Sequence, residues 1–201
     1  MKIICIGRNY VAHAEELNNE VPKEPLVFMK PESALNNSGT IDIPEFTSDL
    51  HYELELVLRI SREAKNVSKE EASQYYDAVA LGIDFTARDV QAQCKAKSHP
   101  WEKAKAFDNS ATLSRFTKCE ELNMSEIRFA LNLNGEKVQD GNSQLMIFDF
   151  DTLISYCSKF FTLHEGDLLY TGTPAGVGPV KSGDILECYL ENEILQKVII
   201  N

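Results

Sequence analysis

Glu53 and Glu55 stand two residues apart in His51-Tyr52-Glu53-Leu54-Glu55-Leu56, and Asp84 ends the apolar stretch Ala78-Val79-Ala80-Leu81-Gly82-Ile83. Successive side chains of a strand point to opposite faces, so His51, Glu53 and Glu55 share one face while Tyr52, Leu54, Leu56 and Leu58 share the other. At roughly 3.3 Å of rise per residue the Cα atoms of the two glutamates are about 7 Å apart, near enough for both carboxylates to reach one ion. Like charges so placed favour a cation between them. An all-carboxylate set suits a hard, oxygen-preferring ion such as Mg²⁺ or Mn²⁺, with Ca²⁺ as an alternative occupant, and no Cys/His spacing of a zinc site occurs. The same alternation also describes an ordinary half-buried strand with a solvated face. Asp84 shifts the balance, because a carboxylate ending a buried strand needs a partner, either a metal or simply Arg88.

The elements that must position these acids belong to a chain of 201 residues, 43% hydrophobic and 25% charged. That length fits one domain over 1–201 with a sizeable core. A net charge of −11 with scattered basic residues argues against a nucleic-acid partner. No apolar run approaches the length of a transmembrane helix, so no membrane partner is expected. The start, Met1 to Arg8, reads as a first strand instead of a signal peptide, which makes a cytoplasmic location the expectation. Cys5, Cys94, Cys119, Cys157 and Cys188 are an odd number without a Cys-x-x-Cys pair, as reduced structural thiols would be.

Asn9 is a candidate cap for a short helix through Leu17, on which His13 and Glu16 lie three apart on one face. Asn18 to Pro25 is polar and holds two prolines, so helix and tail together (about 9–25) read as a surface flap. Pro25 to Lys30 is a short apolar strand, residues 50–60 the acidic strand, and 78–85 a buried strand. Ser68 to Tyr76 reads as a helix with Ser68 as cap and Glu71 closing a capping box. In the C-terminal half, Asn134-Gly135 signals a two-residue hairpin turn and Asp151 to Phe161 a helix. His164-Glu165-Gly166-Asp167 and Lys181-Ser182-Gly183-Asp184 repeat one turn pattern before a strand. The glycines of Thr171 to Gly178 fit neither dinucleotide nor P-loop signatures; they permit a tight loop or an approach of backbone N–H groups to a carboxylate. Strands outnumber helices without a βαβ rhythm, which predicts an α+β fold with a mixed, curled sheet.

Taken together, Gly7-Arg8-Asn9-Tyr10 with His13 and Glu16, the acidic strand, Asp84 through Gln91, Pro100-Trp101 leading to Lys105, Met146-Ile147-Phe148, and Gly166-Asp167 through Thr173-Pro174 to Gly178 resemble the fumarylacetoacetate hydrolase superfamily. The likeness is greatest to its small acylpyruvase and oxaloacetate decarboxylase members. It implies a β-roll catalytic domain without the extra N-terminal domain of larger members, and a homodimer. It also implies Mg²⁺ or Mn²⁺ on Glu53, Glu55 and Asp84, a catalytic dyad of His13 and Glu16 on a lid, and Lys105 pointing into the site. Arg8, Arg88, Gln91 and Thr173 become substrate contacts. Lys105 is followed by Ala106 where similar proteins often carry Ser or Gly.

The chemistry implied is cleavage of a C–C bond in a small 2-oxo acid, with the metal offsetting the charge of the enolate. For an acylpyruvate, His13 paired with Glu16 would deprotonate the attacking water while Lys105 stabilises the oxyanion. Oxaloacetate decarboxylation would need no such water. The rivals are an isomerase or decarboxylase of a 2-hydroxy-dienedioate or an oxaloacetate tautomerase on the same fold, and a non-catalytic β-rich binding module in which Glu53 and Glu55 are merely solvated.

Overall fold

The computed structural model describes residues 1–201. Its largest sheet is built from Thr117–Lys118, Tyr76–Ile83, Leu54–Ile60, Leu168–Tyr170, Ile3–Gly7 and Leu26–Lys30, in that order. Only Ile3–Gly7 and Leu168–Tyr170 run parallel. A second sheet orders Glu136–Asn142, Arg128–Leu133, Ile185–Leu190, Glu193–Ile200 and Thr40–Ile41. Four α-helices accompany the strands: α1 (Val11–Glu16), α2 (Arg88–Ala96), α3 (Glu102–Lys105) and α4 (Phe150–Phe160). The result is the α+β, strand-rich architecture expected, and no helix is long and apolar enough to cross a membrane.

The alternation along 50–60 decides how the sheets meet. Tyr52, Leu54, Leu56 and Leu58 all enter the main core cluster beside Phe129, Leu131, Leu186 and the α4 residues Leu153 and Ile154. Each such leucine contributes on the order of 2 kcal/mol of burial. The opposite face is not solvated, since Glu53 is 5%, Glu55 2% and Val57 0% exposed. A water-facing strand is thereby excluded. The run is also two strands, Leu50–Tyr52 and Leu54–Ile60, interrupted at Glu53. His51 stays outside the acidic cluster, with Nε2 2.9 Å from Asp49.

Several local expectations are corrected. Asn9 does not cap α1; its buried amide donates to the carbonyls of Phe148 (3.0 Å) and Thr171 (2.8 Å) and accepts from the Phe148 N–H, tying three segments together. Ser68 to Tyr76 is a 3₁₀ helix over Lys69–Gln74 followed by the strand Tyr76–Ile83. Ser68 Oγ donates to the Glu71 carboxylate at 2.8 Å and closes no backbone box. α4 begins at Phe150, one residue earlier than expected, and Asp149 before it accepts from the Thr152 N–H at 2.8 Å. The hairpin turn does fall at Asn134-Gly135, with φ of 53° and 86°.

The repeated Gly-Asp pattern is one geometry used twice. Asp167 and Asp184 each return a backbone N–H to the carbonyl three residues earlier, at 3.0 and 3.1 Å. Each carboxylate also accepts the N–H at that earlier position, His164 at 2.8 Å and Lys181 at 2.9 Å. The intervening glycines take φ of 84° and 90°, a region that L side chains adopt at a cost.

Candidate active site

Sheet register brings the three acids together. Leu54–Ile60 pairs antiparallel with Tyr76–Ile83, with Leu54 opposite Ile83 and Glu55 opposite Gly82. Glu53 and Asp84 therefore flank the end of the ladder, and the Asp84 N–H donates to the Glu53 carbonyl at 2.8 Å. Gly82 is required by packing, because a Cβ there would lie 2.5 Å from Tyr170 and 2.7 Å from the Thr112 carbonyl. Carboxylate oxygens of Glu53, Glu55 and Asp84 all lie within 4.8 Å of one another, and all three residues are buried.

Cations crowd this cluster. Lys105, at the end of α3, is 2.7 Å from Glu53 Oε2 and 2.7 Å from Asp84 Oδ2. Arg88, opening α2, donates to Glu53 Oε1 and to Gln91 Oε1, the latter at 2.8 Å. Lys30 ends its strand fully buried, 2.8 Å from Asp84 Oδ1. That approach is an ion pair outside hydrogen-bond geometry, so Oδ1 accepts no hydrogen bond. The Lys30 N–H groups are aimed instead at the carbonyls of Lys105 and Ser110 and at Ser110 Oγ.

The charge states follow from these partners. Burial opposes ionisation of Glu53, but Lys105 and Arg88 outweigh it and hold its carboxyl far below the usual range. Glu55 is the opposite case. Burial and then the adjacent Asp84 push its carboxyl well above that range, against the Gly172 N–H at 2.7 Å and the more distant charge of Lys105. Burial works against the Lys105 charge, yet Asp84 and Glu53 raise its pKa. A divalent cation fits this donor set: three buried carboxylate oxygens converge, Glu55 forms no ion pair, and Asp84 Oδ1 accepts no hydrogen bond.

A narrow cleft lies over the cluster and is lined by Arg8, His13, Arg88, Gln91, Lys105 and Thr173 together with the three acids. Every residue that the resemblance makes a metal, catalytic or substrate contact, except Glu16, thus faces one space. Glu16 lies just outside, with Oε2 3.4 Å from His13 Nδ1 and Oε1 accepting the Gly176 N–H at 3.0 Å. α1 buries His13 and Ala14, so the flap is docked on the Thr171–Gly178 loop. Burial lowers the His13 pKa, Glu53 and Glu16 opposing, which keeps the imidazole neutral at neutral pH.

Sequence reasoning missed two residues. Lys30 carried one signal, a cation closing the apolar run Leu26-Val27-Phe28-Met29. Gln139 carried none: its Oε1 accepts the Leu54 N–H freed by the break at Glu53, at 2.9 Å, and its amide donates to Thr173 Oγ1 at 2.8 Å.

The profile of the family described as "Fumarylacetoacetate (FAA) hydrolase C-terminal" matches residues 2–198. The chain belongs to the fumarylacetoacetate hydrolase family. Among its relatives it is 41% identical over 190 residues to the mitochondrial oxaloacetate decarboxylase of Dictyostelium discoideum, covering 93% of this chain and 87% of that one. It is 46% identical over 184 residues to a mitochondrial oxaloacetate tautomerase of Arabidopsis thaliana, covering 90% and 82%. Its fold superposes on the fumarylpyruvate hydrolase of Pseudomonas aeruginosa in complex with Mn²⁺ and pyruvate with a TM-score of 0.94, at 32% identity over 100% of this chain and 89% of that one. Family members named in this way are enzymes, which removes the non-catalytic binding module from consideration.

Proposed function

We propose that the chain cleaves a C–C bond in a small 2-oxo acid with Mg²⁺ or Mn²⁺, by acylpyruvate hydrolysis, oxaloacetate decarboxylation or both. The observation that carries this reading is the convergence of Glu53, Glu55 and Asp84 within 4.8 Å beneath a cleft that also presents His13 and Lys105. Relatives named for oxaloacetate chemistry and a structural neighbour holding Mn²⁺ and pyruvate support it.

Glu53, Glu55 and Asp84 would hold the divalent cation, which would supply Lewis-acid polarisation and positive charge at the 2-oxo group. The rest of the work falls to the chain. Two of the three Lys105 N–H groups are used by Glu53 and Asp84, leaving the third for an oxyanion in the cleft. With its Nδ1 proton directed to Glu16, His13 keeps the Nε2 lone pair for a proton from water or from substrate carbon. α1 covers the cleft and limits water at the reacting atoms. Gln91 gives its carbonyl oxygen to Arg88, so its amide N–H groups are those left to donate to substrate.

Oxaloacetate tautomerisation is the second reading. It is favoured by relatives of that name in Arabidopsis thaliana and Escherichia coli, and it needs only the proton-transfer half of the same machinery. A homodimer is part of the proposal, on family resemblance, and sedimentation velocity at micromolar concentration checks it. The deciding experiment is a panel with Mg²⁺: acetylpyruvate hydrolysis, pyruvate release from oxaloacetate, and oxaloacetate keto–enol exchange. Turnover of acetylpyruvate or release of pyruvate supports C–C cleavage; keto–enol exchange alone replaces it with tautomerisation.

A further inference from the structure

The cleft is lined by acids and cations together. Lys30, Lys105 and Arg88 are committed to the carboxylates of Asp84 and Glu53. Arg8 and Lys95 line the same cleft, and neither pairs with a carboxylate of the protein.

Helix geometry puts Lys95 there. Arg88, Gln91 and Lys95 occupy positions i, i+3 and i+7 of α2, which is one face of the helix, and all three border the cleft. The Lys95 ammonium lies over the Trp101 ring, 5.7 Å from its centroid, and Trp101 meets Phe28 edge-on at 6.1 Å. An aromatic platform therefore holds an otherwise exposed lysine toward the site. Arg8 reaches the same region from the end of the strand Ile3–Gly7, on backbone with φ of 58°. The charges crowd one another: burial first, then Arg8 and Arg88, lower the Lys95 pKa. In a chain of net charge −11, two unpaired cations in one cleft call for an anion from outside.

We propose that Lys95, with Arg8, binds the distal carboxylate of a dicarboxylic 2-oxo acid and so selects such substrates over those ending in a neutral acyl group. This rests on the 2-oxo acid reading above and deepens it. A substrate whose 2-oxo acid head sits at the carboxylate cluster extends its other end along the cleft toward the face of α2 that carries Lys95. A second carboxylate there gains charge-assisted hydrogen bonds, whereas a methyl ketone leaves the ammonium unpaired.

The test compares two unreactive ligands that differ in one carboxylate, L-malate and L-lactate, titrated by calorimetry into Mg²⁺-loaded protein with the fluorescence of Trp101, the only tryptophan, as a parallel readout. Wild type binds malate roughly tenfold or more tightly than lactate, Lys95→Gln brings the two within about threefold, and Lys95→Arg retains the preference. In turnover, Lys95→Gln lowers the ratio of oxaloacetate to acetylpyruvate kcat/KM by the same factor, mainly through KM. A malate preference that survives Lys95→Gln, or none in wild type, overturns the inference. Acetylpyruvate turnover by wild type leaves the parent reading standing; absence of all 2-oxo acid turnover in wild type removes both.

Discussion

Glu53 and Asp84 end neighbouring antiparallel strands and share the Lys105 ammonium, which stands 2.7 Å from one oxygen of each. One backbone hydrogen bond of 2.8 Å fixes the two residues, and one lysine reports on both.

Lys105→Met leaves two buried carboxylates short of a cation. In metal-free protein it is expected to cost about 3–5 kcal/mol, the usual penalty for removing one partner of a buried ion pair. Urea denaturation with and without Mg²⁺ reads this. The loss should shrink when Mg²⁺ is present, and a variant as stable as wild type in chelator would contradict the arrangement.

Mg²⁺ or Mn²⁺ should raise the melting temperature of the chelator-treated protein, since the folded state alone assembles the three oxygens. Glu55→Gln should weaken this shift strongly, because Glu55 accepts one hydrogen bond, from the Gly172 N–H, and forms no ion pair with a protein cation. Differential scanning calorimetry over a metal series checks it; equal shifts in both proteins would place the ion elsewhere.

Acid should weaken the turn at Asp167. Burial disfavours its charge, but the Lys2 ammonium at 2.6 Å and the N–H groups of His164 and Lys2 outweigh burial and hold its carboxyl below the usual range. The folded state therefore binds a proton less readily than the unfolded one, so the stabilisation is present above the ordinary carboxyl range and is lost as pH falls toward the lower folded value. Asp167→Asn should lose about 1.5–3 kcal/mol at pH 7 and show a flatter stability profile between pH 5 and pH 3. An unchanged acid slope would remove Asp167 as its source.

His13→Ala should slow acylpyruvate hydrolysis by roughly a hundredfold or more while leaving metal uptake intact. Oxaloacetate decarboxylation, which needs no activated water, should fall less. Hydrogen exchange over residues 9–25 should decrease when ligand binds, as expected of a flap held by Glu16 and Gly176. Near wild-type acylpyruvate hydrolysis in His13→Ala would rule out the dyad.

What the sequence disclosed follows the reach of its signals. Glu55 was legible because alternation is local, and Asp84 because a carboxylate ending an apolar run stands out. His13, Glu16, Lys105, Arg8, Arg88, Gln91 and Thr173 came through the order of motifs along the chain, and the fold brings all but Glu16 to one cleft. Burial of both faces of Leu54–Ile60 was not legible, since it depends on segments as distant as Leu168–Tyr170. Asn9 was misread as a cap because its partners Phe148 and Thr171 lie 139 and 162 residues away. Lys30 and Gln139 escaped for the same reason: each is explained by what it meets across the fold, not by its neighbours.

The central claim is that Glu53, Glu55 and Asp84 hold a divalent cation on which turnover of a 2-oxo acid depends. The most direct measurement is acetylpyruvate hydrolysis and pyruvate release from oxaloacetate by chelator-treated wild type and Glu53→Gln across a Mg²⁺ titration. Wild type should be inactive in chelator and regain activity saturably, while Glu53→Gln should require far more Mg²⁺ or stay inactive. Full activity in chelator, or identical Mg²⁺ dependence in the two proteins, would contradict it.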